Sequence, residues 1–201
     1  MNQIGIVDYG AGNLGSLANA LDYLGESYII CSRPEALNQA DKLILPGVGN
    51  FGAAAARLRE TGLDLALKEA IGAGVPFLGI CLGFQLLFEG SEESPGVPGL
   101  GVCKGTVERF TKVRKVPLMG WNRLRAAPKT KLFEGVEAGA YAYFVNSFAV
   151  KRAAPEIVAA RSEYGEEFVS AVERGNVFGT QFHPEKSGAA GLRMLKNFVE
   201  S

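Results

Sequence analysis

Histidine is almost missing from this chain: there is one, His183, in 201 residues. That excludes a metal site built on several imidazoles, and a reaction that needs an imidazole has one place to find it. Cysteine is scarce too. Cys31, Cys81 and Cys103, odd in number and widely spaced, make no disulfide framework and suit a reduced, cytoplasmic chain. Net charge is lacking: 21 basic residues balance 21 acidic ones, and without a basic cluster nucleic acid is not an expected partner. No apolar run approaches the ~18 residues of a membrane helix, so no membrane partner is expected either. Met1-Asn2-Gln3 leads into Ile4 without the basic stretch that opens a secretory signal. No metal and no cofactor is expected. The length fits one domain, 1–201, large enough to bury about 70% of its unfolded surface.

What is present alternates. Ile4 to Asp8 reads as a strand, Asn13 to Leu24 as a helix, Tyr28 to Cys31 as a strand and Pro34 to Asn38 as a short helix. Lys42 to Leu45 is a third strand, followed by helical spacing from Ala53 to Gly74 with an interruption at Thr61-Gly62. Pro76 to Ile80 is the fourth strand. This order predicts a parallel sheet with helices on both faces and a ligand site beyond the carboxyl ends of its strands. Gly90 to Gly101 reads as a loop bordering that site. Strands then follow without long helices between them, at 105–110, 116–121, 140–150, 157–162, 168–173 and 177–182. They predict antiparallel additions at one edge of a mixed sheet, and Gly188 to Val199 is a closing helix. Cys31 and Cys103 are expected in strands.

Gly79-Ile80-Cys81-Leu82-Gly83 stands where the fourth strand meets the short apolar run Leu82 to Phe88. Gly-x-nucleophile-x-Gly at a strand-to-helix turn is the pattern of a nucleophile elbow, in which glycines let backbone pass where a Cβ would clash. Cys81 at a helix N-terminus would be favoured as thiolate. The plainer reading, a buried apolar cysteine, does not account for the glycines.

A nucleophile needs a base. His183 lies in Gln181-Phe182-His183-Pro184-Glu185, and side chains at i and i+2 of an extended segment share a face. Glu185 would orient the imidazole and support its charge, completing a Cys-His-Glu triad that attacks a carbonyl through a thioester. The triad alone leaves amidase, peptidase and thioesterase open. Two Gly-x-Gly-x-x-Gly matches, Gly10 to Gly15 and Gly47 to Gly52, raise a rival reading as a dinucleotide-binding protein. After the second strand the carboxylate expected for a ribose is missing, so both are read as tight turns. The second also offers backbone N–H groups to an oxyanion.

Taken together these residues resemble the class I (triad) glutamine amidotransferases, specifically the glutaminase subunits of histidine biosynthesis. The matching stretches are Asp8-Tyr9-Gly10-x-Gly12-Asn13-Leu14, Leu45-Pro46-Gly47-Val48-Gly49, the Cys81 elbow through Leu86, Met119-Gly120-Trp121-Asn122, Tyr143-Phe144-Val145 and Gln181 to Ser187. The resemblance implies an α/β fold with a flavodoxin-like core: a mixed, mostly parallel central sheet flanked by helices. It implies hydrolysis of glutamine to glutamate and ammonia by Cys81, His183 and Glu185. Leu82 N–H and the Gly47-Val48-Gly49 loop would bind the oxyanion, and Gly49, Gln85 and the backbone near Ser147 the amino-acid end of glutamine. The implied partner is a (β/α)₈-barrel cyclase. It receives ammonia through an internal channel and joins it to N′-phosphoribulosyl-formimino-AICAR-phosphate, giving imidazole glycerol phosphate and AICAR. Asn13, Trp121, Asn122 and Lys186 match positions near that interface. Their plainer readings are a helix cap for Asn13, a packed strand aromatic for Trp121 and solvated groups for Asn122 and Lys186. The chain departs from the family pattern at Leu118, where the family has histidine, and at Asn146 and Phe148, in place of histidine and tyrosine. These departures leave open a paralogue that supplies a different synthase.

Overall fold

The structure, a computed structural model, describes residues 3–113 and 115–201. Met1 and Asn2, which carry the expectation of no basic leader, lie outside them. The first half alternates as its periodicity predicts. It comprises β1 (Ile4–Val7), α1 (Leu14–Leu24), β2 (Tyr28–Cys31), α2 (Pro34–Leu37), β3 (Lys42–Gly47), α3 (Phe51–Glu60), α4 (Leu63–Gly72), β4 (Phe77–Cys81) and the single turn α5 (Leu82–Gln85). The four strands pair in parallel in the order β2-β1-β3-β4. β1, β3 and β4 are buried along their whole length, as strands covered on both faces must be. Alternate side chains feed two cores. Ile6, Ile44 and Leu78 pack with Leu17 and Leu21 of α1, while Leu43, Leu45 and Phe77 pack with Leu58 and Leu67 of α3 and α4. The helix ends are set locally: Asn13 Oδ1 accepts the Ser16 N–H and Asn50 Oδ1 the Ala53 N–H.

The second half contains β5 (Gly90–Ser91), β6 (Thr106–Arg109), β7 (Leu118–Arg123), β8 (Arg125–Ala126), β9 (Tyr141–Asn146), β10 (Phe148–Val150), β11 (Val158–Glu163), β12 (Glu167–Arg174), β13 (Val177–Thr180) and α6 (Gly188–Glu200). β13 returns alongside β4 in parallel, and β12, β10 and β6 extend that edge antiparallel. The apolar run 140–150 is two strands, where its sequence predicts one. β9 leaves the main sheet to pair with β7, and β10 stays in it. The division falls at Ser147, whose carbonyl accepts the Phe110 N–H. Asn146 spans the kink by donating from Nδ2 to the Phe148 carbonyl. Cys31 lies in β2, but Cys103 is in a bend, its N–H bonded to the Leu87 carbonyl. Among the described residues no helix is long and apolar enough to cross a membrane.

Helix α6 follows the His183 segment directly and is fixed at both ends. A Cβ on Gly191 would stand 2.0 Å from the Pro184 carbonyl oxygen, so only glycine lets the helix close onto that turn. At the far end the buried Lys42 donates from Nζ to the carbonyls of Phe198 and Ser201.

Candidate active site

β4 ends on Cys81, which takes φ 55 and ψ −105. A non-glycine residue there costs about 1–3 kcal/mol. The run that follows, Leu82, Phe84, Leu86 and Leu87, is buried, and each such side chain contributes about 1.5–3 kcal/mol. Packing therefore outweighs the strain, and the bend is held. The flanking glycines are required by contact: a Cβ on Gly83 would lie 1.8 Å from the Leu45 carbonyl oxygen, and one on Gly79 2.6 Å from the Gly83 carbonyl oxygen. The helix expected to support a thiolate is only four residues long. Its macrodipole is correspondingly slight, and groups around the sulfur have to do that work.

His183 Nδ1 and Glu185 Oε1 are 2.7 Å apart, both side chains almost wholly buried. Residues 184–186 form a 3₁₀ turn led by Pro184, so the pair meets through a turn where the sequence predicts an extended segment. With Nδ1 occupied, Nε2 is left for the Cys81 side chain, which lines the same cavity as His183. The histidine backbone is tied to β9: its N–H donates to the Tyr143 carbonyl, and Ser187 Oγ donates to its carbonyl while accepting the Tyr143 N–H.

Burial opposes charging of His183, but its bonds to Cys81 and Glu185 and their negative charge prevail, raising it from 6.5 to about 10. A group raised on folding stabilises the fold fully below its unfolded value and loses that contribution as pH rises through its folded one. The His183 contribution is thus complete below pH 6.5 and gone above about 10. Glu185→Gln removes one of the charges that raise it. In this variant the alkaline decline in Tm is expected to be smaller and to finish at lower pH, and the alkaline limb of the activity profile to move to lower pH. An unchanged position of both limbs would count against the Glu185 contact.

Beside this pair lies a cavity of ≈ 250 Å³ lined by Cys81, Leu82, Gln85 and His183, by Val48 and Gly49, by Val145 through Phe148, and by Glu93 and Pro117. A larger groove of ≈ 590 Å³ between 123–127 and 129–140 holds Arg123, Arg125, Lys129 and Lys131 but no cysteine or histidine. The chemistry belongs to the smaller one. Gly49, at φ 105, turns the chain there as glycine can. Gly47, expected at the oxyanion, lies behind the cavity: it pairs with Cys81 in the β3–β4 register, and a Cβ on it would stand 2.4 Å from the Tyr9 hydroxyl. Among the described residues that hydroxyl has no hydrogen-bond partner. Burial, with the charges of Cys81 and Asp8, raises the Tyr9 phenol and keeps it neutral.

The remaining residues fall on the periphery. Asn13 caps α1 and Lys186 is exposed. Trp121 is 56% exposed, not packed into a strand face as its plainer reading has it, and meets Tyr143 edge to face. Asn122 is not merely solvated, since its Nδ2 donates to the Glu163 carbonyl. Leu118 and Asn146, two of the departures from the family pattern, are cross-strand partners. Sequence reasoning missed Glu93, which enters from the 90–101 loop. Its Oε2 accepts the Phe51 N–H at the start of α3, and Ser94 Oγ accepts that of Gly52. The Ser-Glu-Glu-Ser run at 91–94 was the available signal.

The glutamine amidotransferase class-I family matches residues 5–201. Imidazole glycerol phosphate synthase subunit HisH of Methanothermobacter thermautotrophicus is 50% identical over 197 residues, 98% of each chain. HisH 1 of Methanococcus maripaludis is 47% identical over 200 residues, also 98% of each. A crystal structure of a glutamine amidotransferase superposes with a TM-score of 0.79 at 25% identity, covering 98% of this chain and 97% of the other. PurLQS from Thermotoga maritima shares the fold at the same TM-score and 22% identity, covering 100% and 99%. Triad geometry, sheet order and full-length similarity agree: the chain belongs to the class I glutamine amidotransferases, within the group of imidazole glycerol phosphate synthase HisH subunits.

Proposed function

We propose that residues 1–201 form one glutaminase domain in which Cys81, His183 and Glu185 release ammonia from glutamine for a partner synthase. The observation that carries this is the placing of His183 between Cys81 and Glu185 at the wall of the small cavity. The Cys81 thiolate adds to the carboxamide carbon, and the oxyanion takes N–H groups from Leu82 and from the Val48-Gly49 loop. His183, held protonated by its two partners, gives its proton to the departing nitrogen, and ammonia leaves behind a thioester. Neutral His183 then takes a proton from water, which attacks the thioester and frees glutamate and Cys81. Glu93 faces the cavity as the one carboxylate able to bind the substrate α-ammonium, and Gln85 and the backbone at Ser147 take its other polar groups. The three unpaired cysteines suit a reducing compartment, the cytoplasm.

The partner is a (β/α)₈-barrel cyclase that makes imidazole glycerol phosphate and AICAR. The β7–β9 sheet supports this. Met119, Trp121 and Tyr141 project from it, exposed, beside Val145 of the cavity wall and Tyr143, which binds the His183 backbone. Such a face marks a docking surface, and the exposed Lys186 follows the turn that packs on β9, whereas Asn122 alternates to the other face of β7. Glutamate release should rise about tenfold or more when the cyclase and its phosphoribulosyl substrate are added, a typical coupling between sites. Unstimulated hydrolysis would discard the cyclase and leave the glutaminase. The Leu118–Asn146 pair favours a second reading, a different ammonia-using synthase on the same face. That reading predicts stimulation only by the other synthase.

A further inference from the structure

Gln181 is fully buried and unused by the chemistry above. Its backbone N–H donates to the Ser170 carbonyl of β12, so the residue is fixed just past the end of β13. The orientation of its side chain follows from its neighbours. Gln85 Nε2 is 3.0 Å from the Phe148 carbonyl, which can only accept, so that nitrogen is a donor. The same nitrogen is 3.0 Å from Gln181 Oε1, which must then be the acceptor. Gln181 Nε2 is left facing Cys81 Sγ, 3.9 Å away. On another side of the sulfur is the Val145 carbonyl at 4.0 Å, a partner for a thiol but a repulsive neighbour for a thiolate.

We propose that Gln181 serves the nucleophile directly: its side-chain N–H, locked in direction by Gln85, donates to Cys81 Sγ and favours the thiolate. Two amides thereby join the cavity wall to the sulfur, since Gln85 lines the cavity and orients Gln181. A glutamine that merely fills space would need no particular direction for its amide. Here a reversed amide would set two oxygens, its own and that of Val145, against a negative sulfur.

The inference rests on Cys81 being the nucleophile, which glutamate release by Cys81→Ala tests separately. The test here reads the sulfur without glutamine or partner. Alkylation of Cys81 by iodoacetamide is followed from acid to neutral pH by mass spectrometry of its peptide, so that the rise in rate with pH reports thiolate formation. Cys31 and Cys103, both buried, report unfolding in the same digest. Gln181→Leu and Gln181→Glu are expected to move that rise to higher pH and to slow alkylation about threefold or more on its acid side, where the lost thiolate fraction exceeds the gain in intrinsic nucleophilicity. Gln181→Glu should be the slower. It keeps the shape and the oxygen that Gln85 bonds, so the measurement stands even where Gln181→Leu does not fold. A structural role predicts the reverse, since a loosened pocket admits the reagent faster. Unchanged or faster alkylation with Cys31 and Cys103 still protected overturns the proposal.

Discussion

Exchanging Cys81 for alanine is expected to lower glutamate release by about four orders of magnitude or more, with the fold intact. Members of a catalytic unit are strongly non-additive, so loss of the nucleophile removes nearly all that the unit provides. Neither other cysteine is a substitute: Cys31 is in the edge strand β2 and Cys103 in a bend, and neither lines the cavity. The alanine Cβ occupies the place of the cysteine Cβ, so the strained backbone at residue 81 is asked for nothing new. Stability changes little, apart from what the imidazolium loses with its anionic neighbour. Glutamate assayed with the partner present, beside a thermal melt, tests both halves. Retention of even about one-hundredth of the activity would mean that another group attacks the carboxamide.

The largest effect on stability is expected at Gly83. In Gly83→Ala the new Cβ stands 1.8 Å from the Leu45 carbonyl oxygen, with Leu45 carbonyl carbon at 2.9 Å. Those atoms are backbone of the fully buried β3, which pairs on both sides and cannot yield. Overpacking typically costs 1–3 kcal/mol. A clash with main chain belongs at or beyond the upper end, about 3 kcal/mol or more, and it moves the Leu82 N–H away from the oxyanion. Gly15, in the first turn of α1, is the control. A Cβ there meets nothing within 4 Å, so Gly15→Ala should be neutral or slightly stabilising. Equal melting of the two variants would mean that the Gly83 contact is not what holds the elbow.

The two elbow glycines show how far the chain could be read from its residues. Gly79 and Gly83 flank a cysteine at the end of an apolar strand, a local pattern with one physical cause, and the cause was present. The β1 to β4 alternation was legible for the same reason, since buried parallel strands and amphipathic helices differ in period. The second half was less so. The apolar run from Tyr141 to Val150 is interrupted only by Asn146-Ser147, a polar pair that one continuous strand also tolerates, so the residues alone do not mark the change of sheet at Ser147, which depends on the Phe110 N–H. Glu93 eluded sequence reasoning because its place at the cavity is set by its own bond to the Phe51 N–H and by that of its neighbour Ser94 to the Gly52 N–H, some forty residues earlier. Gly47, expected to donate to the oxyanion, pairs with Cys81 and packs against Tyr9 without lining the cavity, and the helix expected after Cys81 is a single turn with little dipole.

His183 is the only imidazole in the chain, and its carboxylate contact fixes Nδ1. In protein without a histidine tag, the imidazole region of a two-dimensional nuclear magnetic resonance spectrum therefore contains one spin system. No assignment is needed, and no overlapping ring obscures it. The protonation state of the acid–base group can be followed on that resonance through titration, thioester formation and partner addition in one sample.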